Sequence, residues 1–326
     1  MPTLVLSPAC GYANRLYAGS LAAFGEAREL VHSGGWLLER PIPHSSYRDA
    51  MGSYPLFICR DWSGLPADFK ELAGRLVTVT VVADPFGNHT PEKLLQTFEV
   101  VRSMKPRFVV DLARVRSSPP SRHHQKRAAR AFRRVEVQIH QEGLAFLDEW
   151  VELYSHLSSR HSLSGIPAFS REAFRAQLSV PGLVVFRALL HERPVGMHLW
   201  YLQNDVAYSH LIALDPSGYK VGAAFALHAA AICHFADTTR WLDLGGGAGL
   251  SVSAEDGLEA FKRGWANDQR PSFLCGRVLS PRVYDELCRG NSQRISYFPA
   301  YRAREHARTF GSSAVSGHSC PSPGSP

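Results

Sequence analysis

Nowhere in its 326 residues does the sequence hold an apolar run near the roughly 20 residues that span a bilayer, so no membrane-crossing helix is expected. The six cysteines (Cys10, Cys59, Cys233, Cys275, Cys288 and Cys320) form no C-x-x-C pair and have no closely spaced histidine partner. That spacing excludes a zinc-ribbon type of site and a dense disulfide framework. No metal is expected, and a reduced, cytoplasmic setting follows. The opening MPTLVLSPAC has no basic residue ahead of its short apolar stretch, so it reads as a first strand rather than a secretory leader. A G-x-S-x-G elbow is missing too, and no cysteine stands in an evident nucleophile setting, which argues against chemistry through an acylated side chain.

What is present is a globular composition, 45% hydrophobic and 20% charged, in a chain long enough for two domains. The formal net charge of +7 favours an anionic partner: a phosphate-bearing cofactor, a nucleic acid or an anionic surface.

Residues 1–120 read as one small α/β unit. Strand patterns run through GWLLERP, YPLFICR, LVTVTVVADP and RFVVDLA, and PEKLLQTFEVVRSM has helical spacing at Leu94, Leu95, Phe98 and Val101. The stretch RSSPPSRHHQKRAARAFRR marks the boundary. Its helix carries Arg122, Lys126, Arg127, Arg130, Arg133 and Arg134, a solvated face or a contact for phosphates or RNA. No interleaved aromatics suggest base stacking. Residues 121–301 then read as strand, two helices, a three-strand antiparallel meander, the loop DPSGYKVGAA, a long apolar helix, a strand, a glycine loop, the helix GLEAFKRGW and a last strand, SFLCGRVL. Residues 302–326 are too poor in apolar groups to fold and are expected to be a disordered tail.

This succession resembles the GNAT acyltransferase superfamily, specifically its FemAB-like branch with two tandem GNAT-like domains. The resemblance implies an α/β fold in which each domain is a mixed, mostly antiparallel sheet flanked by helices. The segment Tyr219, Lys220, Val221, Gly222, Ala223 and Ala224 resembles the family's Gln/Arg-x-x-Gly-x-Gly/Ala loop, with Tyr219 in place of the usual Gln or Arg. Small residues there let backbone N–H groups approach a pyrophosphate at a helix start. FKRGW resembles the branch's aromatic-Lys pair, which implies that Lys262 stabilises charge at the transfer centre. His198 and His210 fall on adjacent meander strands with opposite facings. His210 shares a face with Tyr208 and is the candidate acceptor of the amine proton. Arg160, His161 and Tyr208 are candidates for holding the acceptor.

LDLGGGAG also matches the glycine loop of S-adenosylmethionine methyltransferases. That fold needs several strand–helix units after the loop, and too little chain follows it.

The chemistry implied is direct acyl transfer from acyl-CoA to an amine, with aminoacyl-tRNA as the alternative donor and a non-catalytic binding module as the other possibility. The absence of a heptad-rich helical arm favours acyl-CoA, while Tyr219 pulls the other way. The expected acceptor is a small molecule or a cell-envelope precursor bearing an amine. DNA is not an expected partner.

Overall fold

The computed structural model describes residues 10–161, 163, 165–247, 257–289 and 297–303. The chain begins with α1 (Arg15–Ser20), β1 (Glu26–Glu29), β2 (Trp36–Pro41), β3 (Arg48–Gly52), α2 (Leu65–Leu72), β4 (Thr78–Ala83), α3 (Pro91–Thr97) and β5 (Val100–Ser103). It continues through β6 (Arg107–Asp111), α4 (Arg122–Phe132), β7 (Glu136–His140), α5 (Leu147–His161), α6 (Arg171–Leu178) and the meander β8 (Leu183–Leu190), β9 (Arg193–Gln203) and β10 (Val206–Leu214). The last elements are α7 (Pro216–Val221), α8 (Ala223–Phe235), β11 (Trp241–Gly245), α9 (Gly257–Trp265), β12 (Asp268–Arg270), β13 (Phe273–Val278) and α10 (Pro281–Leu287).

Two mixed sheets result, a six-stranded one ordered β1-β2-β3-β4-β13-β5 and a seven-stranded one ordered β12-β6-β11-β10-β9-β8-β7. Most neighbours are antiparallel, while β3–β4 and β10–β11 are parallel. The expected α/β class with two such sheets is therefore observed. Chain order and sheet membership part company at two strands. β6 precedes residue 120 yet lies in the seven-stranded sheet, and β13, read as the last strand of the second unit, sits between β4 and β5 of the first sheet. Periodicity reports that a segment is a strand, and it carries no information about which neighbours satisfy its backbone hydrogen bonds.

One apolar cluster joins both halves of the chain. Tyr12, Tyr17, Leu38 and Leu56 pack with Trp150, Val185, Leu199, Tyr201 and Tyr208. The outer face of the larger sheet is covered by α8, whose Ala223, Ala226, Leu227 and Ala231 pack with Phe186, Trp200 and Leu242. The small alanines let the helix lie close to the sheet.

Several local expectations are revised. The helix at 91–97 stops at Thr97, and the β-branched Val100 and Val101 enter β5 instead of a helical stripe. The YPLFICR segment makes only a single bridge, Phe57 to Ala83. The expected loop at 216–221 is a short helix, because Asp215 caps it by accepting the Gly218 N–H at 2.6 Å and Pro216 occupies its first position. Arg302, assigned to the tail by sequence, is buried and donates to Asp49 Oδ1 at 2.9 Å. The expected first strand at residues 1–9 and the rest of the expected tail, 304–326, lie outside the described residues. Among the described residues no helix is long and apolar enough to cross a membrane.

Candidate active site

The parallel strands β10 and β11 pair only over Val206–Tyr208 and Trp241–Asp243. Beyond that short ladder β10 bulges, its register against β9 shifting between Ser209 and Leu211, so His210 is the extra residue. β11 in turn ends at Gly245, which has φ 82°. Polar side chains from both sheets gather at this point.

Asp84, just after β4, is buried and accepts hydrogen bonds from the Tyr208 hydroxyl at 3.1 and 3.0 Å. It also caps the turn that follows by accepting the Phe86 N–H. Burial raises its pKa from the ordinary 3.8 to about 7, and the Phe86 and Tyr208 hydrogen bonds offset only part of the rise. Next to it, Arg107 of β6 donates to both Asp243 oxygens at 3.1 and 2.8 Å. Burial alone would lower the Arg107 pKa, but the Asp243 charge and hydrogen bond raise it, so the guanidinium stays charged.

Lys262 reaches the same place from α9. Its Nζ donates to the Gly246 carbonyl at 2.7 Å, while the Gly245 N–H donates to Asp243 at 2.8 Å. A Cβ on Gly245 would stand 3.0 Å from Lys262 Nζ and 3.7 Å from Arg107 Nη2. The two cations therefore flank the end of β11, where the positive φ of Gly245 favours glycine. The glycine-loop residues Ala248 and Gly249 of the methyltransferase-like motif lie outside the described residues. The strand before them, β11, lies between a parallel β10 and an antiparallel β6, unlike the all-parallel setting that motif needs.

His210 is half-buried in a cage of tyrosines, its ring 4.7 Å from that of Tyr201 and 5.6 Å from that of Tyr12. Its Nε2 lies 3.2 Å from Gln177 Oε1 and its Nδ1 3.2 Å from the Tyr12 hydroxyl. Nε2–H thus donates to the amide and Nδ1 accepts from Tyr12. Burial pushes its pKa down to about 3. Both nitrogens are engaged and the ring is a weak base, which is not the arrangement a general base needs. His198 faces the opposite side, as expected, with its ring 4.6 Å from that of Trp200 and its Nε2 2.8 Å from the Ser209 hydroxyl.

The other candidates fall in a second place, where α7 meets α8. Gly222 has φ 75° and ψ 34°, and its N–H is taken by the Gly218 and Tyr219 carbonyls. Lys220 is exposed, Val221 and Ala224 are half-buried and Ala223 is buried. Arg160, at the end of α5, lies 4.2 Å over the Tyr219 ring. The structure thus joins Arg160 to the loop segment through Tyr219, while His161 is exposed and Tyr208 belongs to the Asp84 cluster. Tyr12, Asp84, Arg107 and Asp243 escaped the sequence reading. An Asp-Pro directly after an apolar strand was the one available signal, and it reads equally well as a turn.

The sequence profile of the acetyltransferase (GNAT) domain matches residues 121–263, which contain the meander, the α7–α8 junction and Lys262. The chain has a FemAB-like GNAT fold. Among solved structures it is similar to FemX at TM-score 0.63 and 13% identity, over 84% of this chain and 93% of that one. The C-terminal domain of a putative lysylphosphatidylglycerol synthetase from Agrobacterium fabrum is similar at TM-score 0.58 and 13% identity, over 86% and 92%. L-PGS from Bacillus licheniformis is similar at 0.52 and 13%, over 81% and 92%. No curated protein matches the sequence. At these identities the tandem GNAT likeness establishes the fold of the chain, and its chemistry has to be argued from the residues.

Proposed function

We propose that the protein is an acyltransferase that moves an acyl group from a phosphate-bearing carrier to an amine. The observation that carries this reading is the convergence of a buried carboxyl titrating near neutrality, Asp84, with two cations, Lys262 and Arg107, at the parting of β10 and β11. An amine must lose a proton to attack a carbonyl, and a carboxylate of pKa about 7 is matched to that task. In this scheme the new N–C bond forms as the amine proton passes to Asp84. Negative charge gathers on the carbonyl oxygen beside the Lys262 ammonium, and the C–S or C–O bond to the carrier breaks. Asp84 returns its proton to the departing thiolate or alkoxide. His210 acts by holding the Tyr12 hydroxyl, and Arg107 pairs with Asp243 and ties β6 to β11.

Two carriers fit the chemistry. Acyl-CoA would lay its pyrophosphate at the α7–α8 junction, where Ala223 and Ala224 open the 13-residue helix α8 and Tyr219, Lys220, Val221 and Gly222 precede it. Against it, the Gly222 N–H is already used within α7. Aminoacyl-tRNA is favoured by the cationic face of α4. An amine on a cell-envelope precursor is the acceptor class we assign. A carrier-loaded Lys262→Ala protein should keep its carrier and lose about 10²–10³ in turnover, with partial rescue by Lys262→Arg. Full turnover in Lys262→Ala, assayed with acyl-CoA and aminoacyl-tRNA donors in parallel, removes Lys262 from the centre. No transfer by the unaltered protein with either donor favours a non-catalytic binding module.

A further inference from the structure

The edge of the first sheet at β1 and β2 meets α1 and α6 around a cavity of about 560 Å³, within the size range of small-ligand sites. Arg15, Leu16 and Gly19 of α1, Glu29 of β1, Trp36 of β2 and Ala176 of α6 line it. Strand alternation decides which charges of β1 arrive there. Glu26 and Arg28 stand on the opposite face, where Glu26 pairs with Arg48 and Arg28 with Glu39. Glu29 turns to the cavity beside Trp36, its partner in the ladder. Among the described residues neither the Glu29 nor the Arg15 side chain has an ion pair or a hydrogen bond.

The apolar part of the lining is open as well. Leu16 is 45% exposed, and the Trp36 indole is half-buried. Glycine is disfavoured within a helix, yet a Cβ on Gly19 would meet nothing within 4 Å, so no neighbour demands it. Its small size keeps the cavity clear. A simple anion would meet Glu29 and a simple cation Arg15, while a neutral ligand would leave both charges unanswered. The lining therefore matches a molecule that carries both charges beside an apolar group.

We propose that this cavity binds a free α-amino acid with an apolar side chain, its carboxylate on Arg15, its ammonium on Glu29 and its side chain against Trp36 and Leu16. The site is separate from the transfer centre and independent of the chemistry there. Its walls still reach that centre. Gly19 and Ala176 precede Ser20 and Gln177, whose side chains meet at 3.4 Å, and Gln177 Oε1 accepts from His210 Nε2 at 3.2 Å. An occupant of the cavity thus orders the two helices that hold His210.

Calorimetry with the full chain and L-phenylalanine, L-leucine and L-tryptophan tests the site. At least one of the three should bind saturably. The N-acetyl and the amide forms of the tightest binder each lack one charge and should bind at least about tenfold more weakly. Arg15→Gln and Glu29→Gln should each weaken the free amino acid by about tenfold, with unchanged melting temperatures because both side chains are exposed. Gly19→Leu puts a side chain into the cavity on a helical backbone, so it should abolish binding and melt no lower than the parent. Saturation should slow amide hydrogen exchange in α1 and α6. Binding by none of the three amino acids overturns the proposal. Equal binding of a blocked form does so too, since that marks a site for a peptide terminus. Undiminished binding by folded Gly19→Leu, or by the double variant Arg15→Gln/Glu29→Gln, places the ligand elsewhere and has the same consequence.

Discussion

Replacing Asp84 by asparagine should damage activity and improve stability in the same protein. Burial holds the carboxyl at about 7 against an ordinary 3.8, so the native state binds a proton more tightly than the unfolded chain does. The sign follows from that difference. Between pH 4 and 7 the native state carries more protons, so this group's contribution to stability falls as pH rises, and above 7 the full cost of a buried carboxylate is present. A difference of about 3 pKa units corresponds to about 4 kcal/mol, the ceiling on what removing the charge could return. Asparagine keeps an oxygen for the Tyr208 hydroxyl, which lies 3.0 Å from Asp84 Oδ2, but its amide N–H groups need acceptors, which reduces the gain. The expected result is a melting temperature several degrees above that of the parent at pH 8, with the gap closing at pH 5. Over the same range the parent's kcat/KM should rise about tenfold per pH unit up to about 7 and then level. The variant should lose about 10²–10⁴ in turnover and show no such rise. Thermal melts at the two pH values and a pH–rate profile make the assay. An Asp84→Asn protein that melts lower than the parent at pH 8, or keeps the parent's pH profile, would refute the assignment of Asp84 as the buried base.

Arg107→Ala leaves Asp243 buried without its cation and should cost about 3–5 kcal/mol in urea unfolding, while Arg107→Leu combined with Asp243→Leu should recover most of that loss; equal stability of the single and double variants would show that the pair is uncoupled. Gly222→Val forces a β-branched residue into φ 75° at the α7–α8 junction. It should cost about 1–2 kcal/mol and weaken coenzyme A binding in calorimetry; undiminished binding would remove this junction from the carrier site.

Much of this protein was readable in order along the chain. The three-strand meander and the opposite facings of His198 and His210 were legible in the sequence, and the structure pairs β9 with β10 regularly as far as Ser209. The helices α5 and α6, the apolar helix α8 and the helix carrying Lys262 were all expected in their order along the chain, because a helix or strand is specified by residues that are neighbours in sequence. Other features were decided only when distant segments met. A bulge needs a mismatch between two strands, so the slip at His210 has no local signature. The exchange of β6 and β13 between sheets depends on which strand edges are open once the others have paired. Arg160 and Tyr219 lie far apart in sequence and meet because α5 ends over α7. The centre itself draws Asp84 from β4, Arg107 from β6, Asp243 from β11 and Lys262 from α9. Sequence alone determined that Asp84 ends an apolar strand. Only the tertiary structure decided that this carboxyl is taken out of water, and the desolvation that raises its pKa is a property of the assembled sheets, not of the residue.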